Sequence, residues 1–473
     1  MTRKSIRTLL PLVLAVVSGN VHAIEPFTPL TAPAVTGTDT WVLPDNWIAT
    51  KITDRNTLNS QPGWQSNFRS WDMVDVGGPN HEFIYIPFEF GFGAGVVRYN
   101  RDTGTSTTLL GGNGTRSFSS DPASWSATTD DFGAIDPAVL TSKGTLLVAE
   151  EWSGNGRMFE ITNPQTATGT ASANVQWLSN IPSVSHEGIK FDSQGRMYFI
   201  DENSSGSVYR LTPTNPGDLT LGKVDVLSVN AFAGNAALGF NSGINASQPR
   251  TGAASWIEIV DSSGAATTAA DPFNFSGRGG RAAADEVNGT PYGRPEDLVI
   301  GTVNGQEILY FATTSEHIVY GVNVLTNEVF EAVNNLVTPD NLGNDPVGSG
   351  SGISSSYGLF NPDNLEATYG PGGELQLWVL EDQNPGDIWM ATDTNGDGVM
   401  DFVDLFASLG IAGAEPTGFI VDPRGGFLVN VQHPADGNDS LWRFSQATVP
   451  VPPAAWLFGS ALGILGWMRR KAA

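Results

Sequence analysis

Along the chain the apolar residues fall in short blocks, each closed by an acid and followed by a glycine turn, and the pattern returns several times. The clearest copy opens at His186-Glu187-Gly188-Ile189 and turns at Asp192-Ser193-Gln194-Gly195. It then runs Met197-Tyr198-Phe199-Ile200 into Asp201-Glu202 and returns as Val208-Tyr209-Arg210-Leu211. Another starts at Asp136, turns at Lys143-Gly144, runs Leu146-Leu147-Val148 into Glu150-Glu151 and returns as Met158-Phe159-Glu160-Ile161. A third leads from Asp363 through Gly372-Gly373 and Leu375-Gln376-Leu377-Trp378-Val379 to Glu381-Asp382. A fourth leads from Glu415 to Gln432-His433 and Leu441-Trp442-Arg443. Arg294-Pro295-Glu296-Asp297 opens a looser copy ending near Val322, and a degenerate one lies at His81 to Asn100.

Blocks this short, bounded by Gly, Asp and Pro and almost free of a 3.6-residue period, predict strands rather than helices. A repeated unit of this kind cannot cover its own apolar faces and must pack against its copies. The prediction is therefore all-β: a β-propeller of six blades, its body at residues 24–448 and its repeats clearest from 136 to 444. Thr212 to Thr290 and Thr338 to Ser356, rich in Gly, Ala, Ser and Asn, break the pattern and are expected to be long loop insertions.

The radial reading has a chemical consequence. Acids that recur at the strand ends of successive repeats converge on one axial site, which names Glu150, Glu151, Glu187, Asp201, Glu202, Glu296, Glu381 and Asp382 as candidate metal ligands. Converging carboxylates cannot all stay ionised without cations, and hard oxygen donors select Ca²⁺, Mg²⁺ or Mn²⁺. Read one at a time, the same acids would be strand caps or solvated side chains.

A separate run, Asp393-Thr394-Asn395-Gly396-Asp397-Gly398-Val399-Met400-Asp401-Phe402-Val403-Asp404, has oxygen ligands at positions 1, 3, 5, 9 and 12, a glycine at 6 and a backbone carbonyl at 7. This is the spacing of a calcium loop, with Asp404 in place of the longer Glu. Asp393, Asn395, Asp397, Val399, Asp401 and Asp404 are its expected ligands, the ion is expected to be structural, and a short helix is expected through Leu405 to Leu409.

Composition narrows the classes. The 473 residues carry 24 Lys+Arg against 49 Asp+Glu and no cysteine. An acidic surface without a basic stripe disfavours nucleic acid, and the missing thiols remove disulfides, zinc–thiolate sites and cysteine nucleophiles together. Both chain ends read as addresses. Arg3, Lys4 and Arg7, the apolar run Leu9 to Val17 and Val21-His22-Ala23 form a secretory signal over residues 1–23. Val449-Pro450-Val451-Pro452-Pro453, the uncharged stretch Ala454 to Met468 and Arg469-Arg470-Lys471 resemble the tripartite PEP-CTERM sorting signal, with Val-Pro-Val-Pro where the commonest motif is Val-Pro-Glu-Pro. Residues 449–473 would then anchor the chain transiently in the membrane and engage sorting machinery. The expected location is the periplasm, cell surface or extracellular matrix of a Gram-negative bacterium.

Arg294, directly before Pro295-Glu296, is placed to fork onto a phosphate or carboxylate beside the acids, or to pair with one of them. Arg278 and Arg281 precede it in a Gly-rich insertion that lacks the Lys-Ser/Thr ending of a phosphate loop. His186 and His433 occupy equivalent-looking ends of their repeats. No His-Glu-x-x-His helix and no Gly-x-Ser-x-Gly elbow occurs.

Gly144-Thr145-Leu146-Leu147-Val148-Ala149-Glu150-Glu151, His186-Glu187-Gly188, Ile200-Asp201-Glu202, Arg294-Pro295-Glu296, Pro362-Asp363-Asn364-Leu365, Glu381-Asp382 and Val431-Gln432-His433-Pro434 resemble, in order, the signatures of the PhoX-type alkaline phosphatases. The resemblance implies an exported six-bladed propeller that hydrolyses small phosphomonoesters with an axial cluster of calcium and iron ions. Glu150, Glu187, Glu296 and neighbouring acids would be ligands, Glu187 and Glu296 would serve catalysis, and Arg294 would hold the phosphate. The family carries a Cys before the Glu-Glu pair, a soft ligand to iron, where this chain has Ala149. Several calcium ions are therefore expected and the iron pair is in doubt. Two other readings stay open: a calcium-dependent lactonase-like propeller with one axial metal, and a non-catalytic, calcium-stabilised surface or matrix protein.

Overall fold

The computed structural model describes residue 24 and residues 26–447, apart from 276, 343–357 and 385. The leader at 1–23 and the sorting segment at 449–473 lie outside the described residues. Among those residues the only helices are Arg55–Leu58 and Gly279–Glu286, and neither is long or apolar enough to cross a membrane.

Everything else regular is β, arranged as a propeller of antiparallel up-and-down sheets. In chain order the strand groups are Asp75–Gly77 to Thr105–Gly111, Ile135–Leu140 to Val175–Trp177, Ile189–Phe191 to Gly222–Val229, Pro295–Val303 to Glu328–Asn334, and Pro362–Tyr369 to Phe402–Leu409. A last group, Glu415–Val421, Phe427–Gln432 and Ser440–Gln446, takes its outer strand from the other end of the chain. Trp47–Asp54 pairs with Ser440–Gln446 from Trp47↔Gln446 to Asp54↔Ser440 and closes the ring.

Sequence pattern and burial agree. Leu375–Glu381 is buried at every position because a middle strand is covered on both faces by neighbouring sheets, so its centre, Leu377 to Leu380, reads as an apolar run rather than an alternation. Aromatic wedges fill the gaps between sheets. Trp378, fully buried, meets Phe406 edge-on at 4.9 Å and Phe427 at 4.6 Å, which ties the fifth group to the last. The hairpin between the first two strands of a group needs a left-handed residue, supplied by Gly144 (φ 76°) and Gly195 (φ 76°).

Two expectations are corrected. Thr212–Thr290 is not a plain insertion: it contributes the outer strand Gly222–Val229 and a further strand, Gly252–Val260, which also pairs with Glu328–Asn334 and joins two groups into one nine-stranded sheet. The expected helix at Leu405 to Leu409 is instead part of the strand Phe402–Leu409, because pairing with Gly386–Asp393 satisfies its backbone. Residues 343–356 of the second expected insertion lie outside the described residues.

Candidate metal centre

The acids at the inner strands are aimed by a recurring irregularity. Where the first strand meets the second, register shifts between Ile135 and Ala138, between Pro295 and Leu298, and between Pro362 and Leu365. Such a bulge re-aims a side chain. Asp136, Glu296 and Asp363 sit inside these bulges, and with Asp72 and Glu187 at the start of their own groups they face one axial cavity of about 260 Å³. Glu89, Glu202 and Asp382, just past the second strands of their groups, and Glu151, within Leu146–Gly156, join them, and the closing sheet adds Glu415, Thr417, Gln432 and His433. Arg294 is the one Lys or Arg among the lining residues.

The tightest knot is Glu187, Glu296 and Asp363, each offering an oxygen within 4.8 Å of the others. Glu296 Oε1 accepts the Thr314 hydroxyl at 2.6 Å, whereas Glu187 Oε2 is buried with no hydrogen-bond partner. A buried, unpartnered carboxylate oxygen beside two more carboxylates is the donor set a hard cation takes. Burial first, and then neighbouring acids, push the carboxyls of Asp136, Glu151, Glu187 and Asp363 well above the usual range. Burial likewise raises Asp72 to about 6, Glu89 to about 7, Glu296 to about 7 and Glu415 to about 10.

Arg294, with φ 53°, reaches into this field. Its Nε lies 2.5 Å from Glu202 Oε1, Nη2 lies 3.2 Å from Glu296 Oε1 and Nη1 lies 3.7 Å from Asp382 Oδ2. Burial works against its charge, but the carboxylates of Glu296 and Glu202 outweigh it and hold the guanidinium above its ordinary value. The side chain remains 39% exposed, although each of its three nitrogens already has a carboxylate oxygen within 4 Å.

In each acidic pair the structure splits the two residues. Glu151, Glu202 and Asp382 face the cavity, but Glu150, Asp201 and Glu381 turn away from it, contrary to the sequence expectation. Glu150 is fully buried against Arg157, with Nε–Oε2 at 2.7 Å and Nη2–Oε1 at 2.8 Å, in a nest of Phe132, Phe159 and Trp177. Asp201 is clamped by Arg281 and accepts the Ser185 amide at 3.0 Å. Glu381 accepts from Phe360 N at 2.6 Å, Gln383 Nε2 at 2.6 Å and Trp389 Nε1 at 3.0 Å. Each outward acid is thus held by partners away from the axis, whereas the inward Glu202 and Asp382 meet Arg294 at the cavity.

His433 lies at the cavity with Nδ1 2.8 Å from Glu415 Oε1. His186 does not: its ring is fully buried against Phe199, and burial lowers its pKa to about 3. Ala149 is in the apolar core with Met158, Val184 and Ile189, not in the cavity. Asp72 and Glu89 escape a reading by repeats because their copy is degenerate. Asp136, Asp363 and Glu415 are visible as the opening acids of repeats.

The expected calcium loop is the hairpin after Gly386–Asp393. Asp393 accepts from Gly396 N at 2.6 Å and Gly398 N at 2.9 Å, Asn395 from Asp397 N, Asp397 from Val399 N, and Asp401 from Thr394 N at 2.7 Å. Asp404 is corrected out of the loop: it lies in the returning strand opposite Met390.

Among solved structures the chain matches Pseudomonas fluorescens PhoX in complex with vanadate, a transition state analogue, over 89% of its own length and 98% of the other chain, at a TM-score of 0.56 and 15% identity. A putative phosphatase from Bacteroides thetaiotaomicron matches at 12% identity over 80% and 72% of the two chains, with a TM-score of 0.42. The PQQ-bound aldose sugar dehydrogenase of Streptomyces coelicolor matches at 12% identity over 85% and 100%, with a TM-score of 0.39. No protein-family model and no curated protein matches the chain. At these identities the likeness to PhoX is one of fold.

Proposed function

We propose that this PhoX-like propeller has six blades, the nine-stranded sheet counting as two, and acts as an exported, metal-dependent phosphomonoesterase whose axial acids hold calcium. The observation that carries the reading is the partly exposed Arg294, the one Lys or Arg in a cavity lined chiefly by carboxylates. A negative substrate enters such a cavity only where cations offset the wall, and a planar guanidinium is suited to two phosphoryl oxygens at once.

The donor set fits calcium. Glu187, Glu296 and Asp363 form the nearest oxygen trio, with Glu151, Glu202, Asp382 and Glu415 available around it. Bound there, calcium supplies Lewis-acid neutralisation of phosphoryl charge and activation of a nucleophile. Arg294 orients the ester and draws its charge toward the Glu296 side. Glu202 and Glu296 fix the guanidinium plane, and Thr314 fixes Glu296. The soft ligand that the family resemblance assigns to an iron pair is missing, since the chain has no cysteine and Ala149 faces the core, so the reading rests on calcium.

We keep calcium in the hairpin at Asp393 as a structural proposal, together with export through residues 1–23 and anchoring through 449–473. The trio's compactness also favours a second reading, in which one cation polarises an ester carbonyl as in a lactonase and Arg294 is dispensable. Turnover of an aryl phosphate and of a lactone by wild type and Arg294→Ala decides between them. Phosphatase activity lost on Arg294→Ala supports the first reading, and lactonase activity that survives it supports the second. A calcium-loaded protein inactive on both substrates would leave a non-catalytic surface protein.

A further inference from the structure

Away from the axis, a groove of about 1020 Å³ runs between the outermost strand Thr105–Gly111 and the loop after Met158–Ile161. Its walls are Gln61 to Gln65 on one side, Thr105 to Thr108 along the strand, and Thr168 to Thr170 opposite. No lining residue is charged, in a chain where Asp and Glu outnumber Lys and Arg two to one. Hydroxyls, primary amides and one indole remain.

The walls are fixed in advance. Gln61 Oε1 accepts from Ser106 N at 2.6 Å and from its hydroxyl at 2.9 Å, while its Nε2 donates to Gly104 O at 2.8 Å. Trp64 is wedged edge-on against Phe68 at 5.5 Å, Trp71 at 6.1 Å and Phe88 at 5.4 Å. Thr168 shares a hydrogen bond with Ser172 at 3.1 Å. Side chains already held in place lose little freedom when a ligand arrives.

From this chemistry we propose that the groove binds a neutral oligosaccharide. Hydroxyls and amides match polyol donors and acceptors, and an immobile indole supplies apolar area for a sugar ring. A cationic ligand finds no carboxylate in the groove. An acidic glycan finds no Arg or Lys there and meets the repulsion of the whole acidic body. The site is independent of the axial cavity.

The test is affinity electrophoresis of the calcium-loaded full body through gels containing dextran, laminarin or, as the acidic control, alginate, with titration calorimetry against cellohexaose. Retardation by at least one neutral polymer and none by alginate is expected. Thr105→Asp with Thr170→Asp, both at exposed positions, should weaken that binding at least tenfold without moving the melting temperature, while Thr105→Ser with Thr170→Ser should bind as wild type. Absence of retardation by every neutral polymer, equal retardation of the aspartate variant, or stronger binding to alginate would each overturn the proposal. Activity on an aryl phosphate is read separately and is expected to be unchanged in both double variants.

Discussion

Arg281, on the helix Gly279–Glu286, grips Asp201 through two hydrogen bonds, Nε–Oδ2 at 2.5 Å and Nη2–Oδ1 at 2.6 Å, and so fixes the residue next to Glu202 at the cavity wall. Both partners are buried, and Asp201 also accepts the Ser185 amide two residues before Glu187. The segment after the third strand group therefore reaches back to set two acids of the centre.

Arg281→Met leaves Asp201 buried without its counter-charge, a class of change that costs about 3–5 kcal/mol. The expected outcome is a lower urea midpoint and weaker calcium retention. Asp201→Asn in the same chain removes the stranded charge and should recover part of the stability. Unchanged calcium affinity in a folded Arg281→Met protein would show that Glu202 and Glu187 are positioned by other contacts.

The metal-free body should be less stable at pH 8 than at pH 5. Asp72, Glu89 and Glu296 have folded pKa values of about 6, 7 and 7, raised above those of an unfolded chain by burial. Between roughly pH 4 and 7 the native state then holds more protons than the unfolded one, so stability falls as pH rises through that window. Melting curves in EGTA across pH 5–8 should show this fall. Saturating calcium should flatten it, because it binds the folded, ionised cluster and adds stability by mass action.

Arg294→Ala should lower kcat/KM for an aryl phosphate by about tenfold to a hundredfold, the range of a lost hydrogen bond to a charged group. Arg294→Lys keeps the charge but not the fork and should recover only part. Steady-state kinetics with the melting temperature recorded alongside reads both.

Asp393→Ala deletes the acceptor for the Gly396 and Gly398 amides and should cost about 1–2 kcal/mol, as loss of a capping side chain does. Chemical denaturation with calcium and with EGTA measures it. A loss of the same size in both conditions assigns Asp393 to the turn alone, whereas a loss that vanishes in EGTA assigns it to an ion.

The repeat of acid, strand, turn and strand makes the β architecture and the opening acids legible, since apolar blocks too short for helices and bounded by glycines and acids have few other solutions. Which member of each acidic pair faces inward is not legible. The bulges at Asp136, Glu296 and Asp363 break the strand period, and the partners that draw Asp201 and Glu381 outward come from Arg281 and Trp389, contacts no local pattern contains. The closing strand Trp47–Asp54 is hidden because its partner lies at the far end of the sequence. Phe402–Leu409 reads as partly helical because a calcium-loop spacing is normally succeeded by a helix, and tertiary pairing with Gly386–Asp393 overrides that local signal.

The closing sheet also gives the molecule a front and a back. Gln432 and Glu415 pair at the rim where the cavity opens, and Val431 pairs with Ser440, so the strand Ser440–Gln446 begins at that rim and runs away from it to Gln446, opposite Trp47. The chain therefore leaves the closing sheet at Gln446 on the far side. A body tethered from its Gln446 end would turn its back to the tether and hold the acidic mouth toward the surrounding medium, where a diffusing solute meets it first.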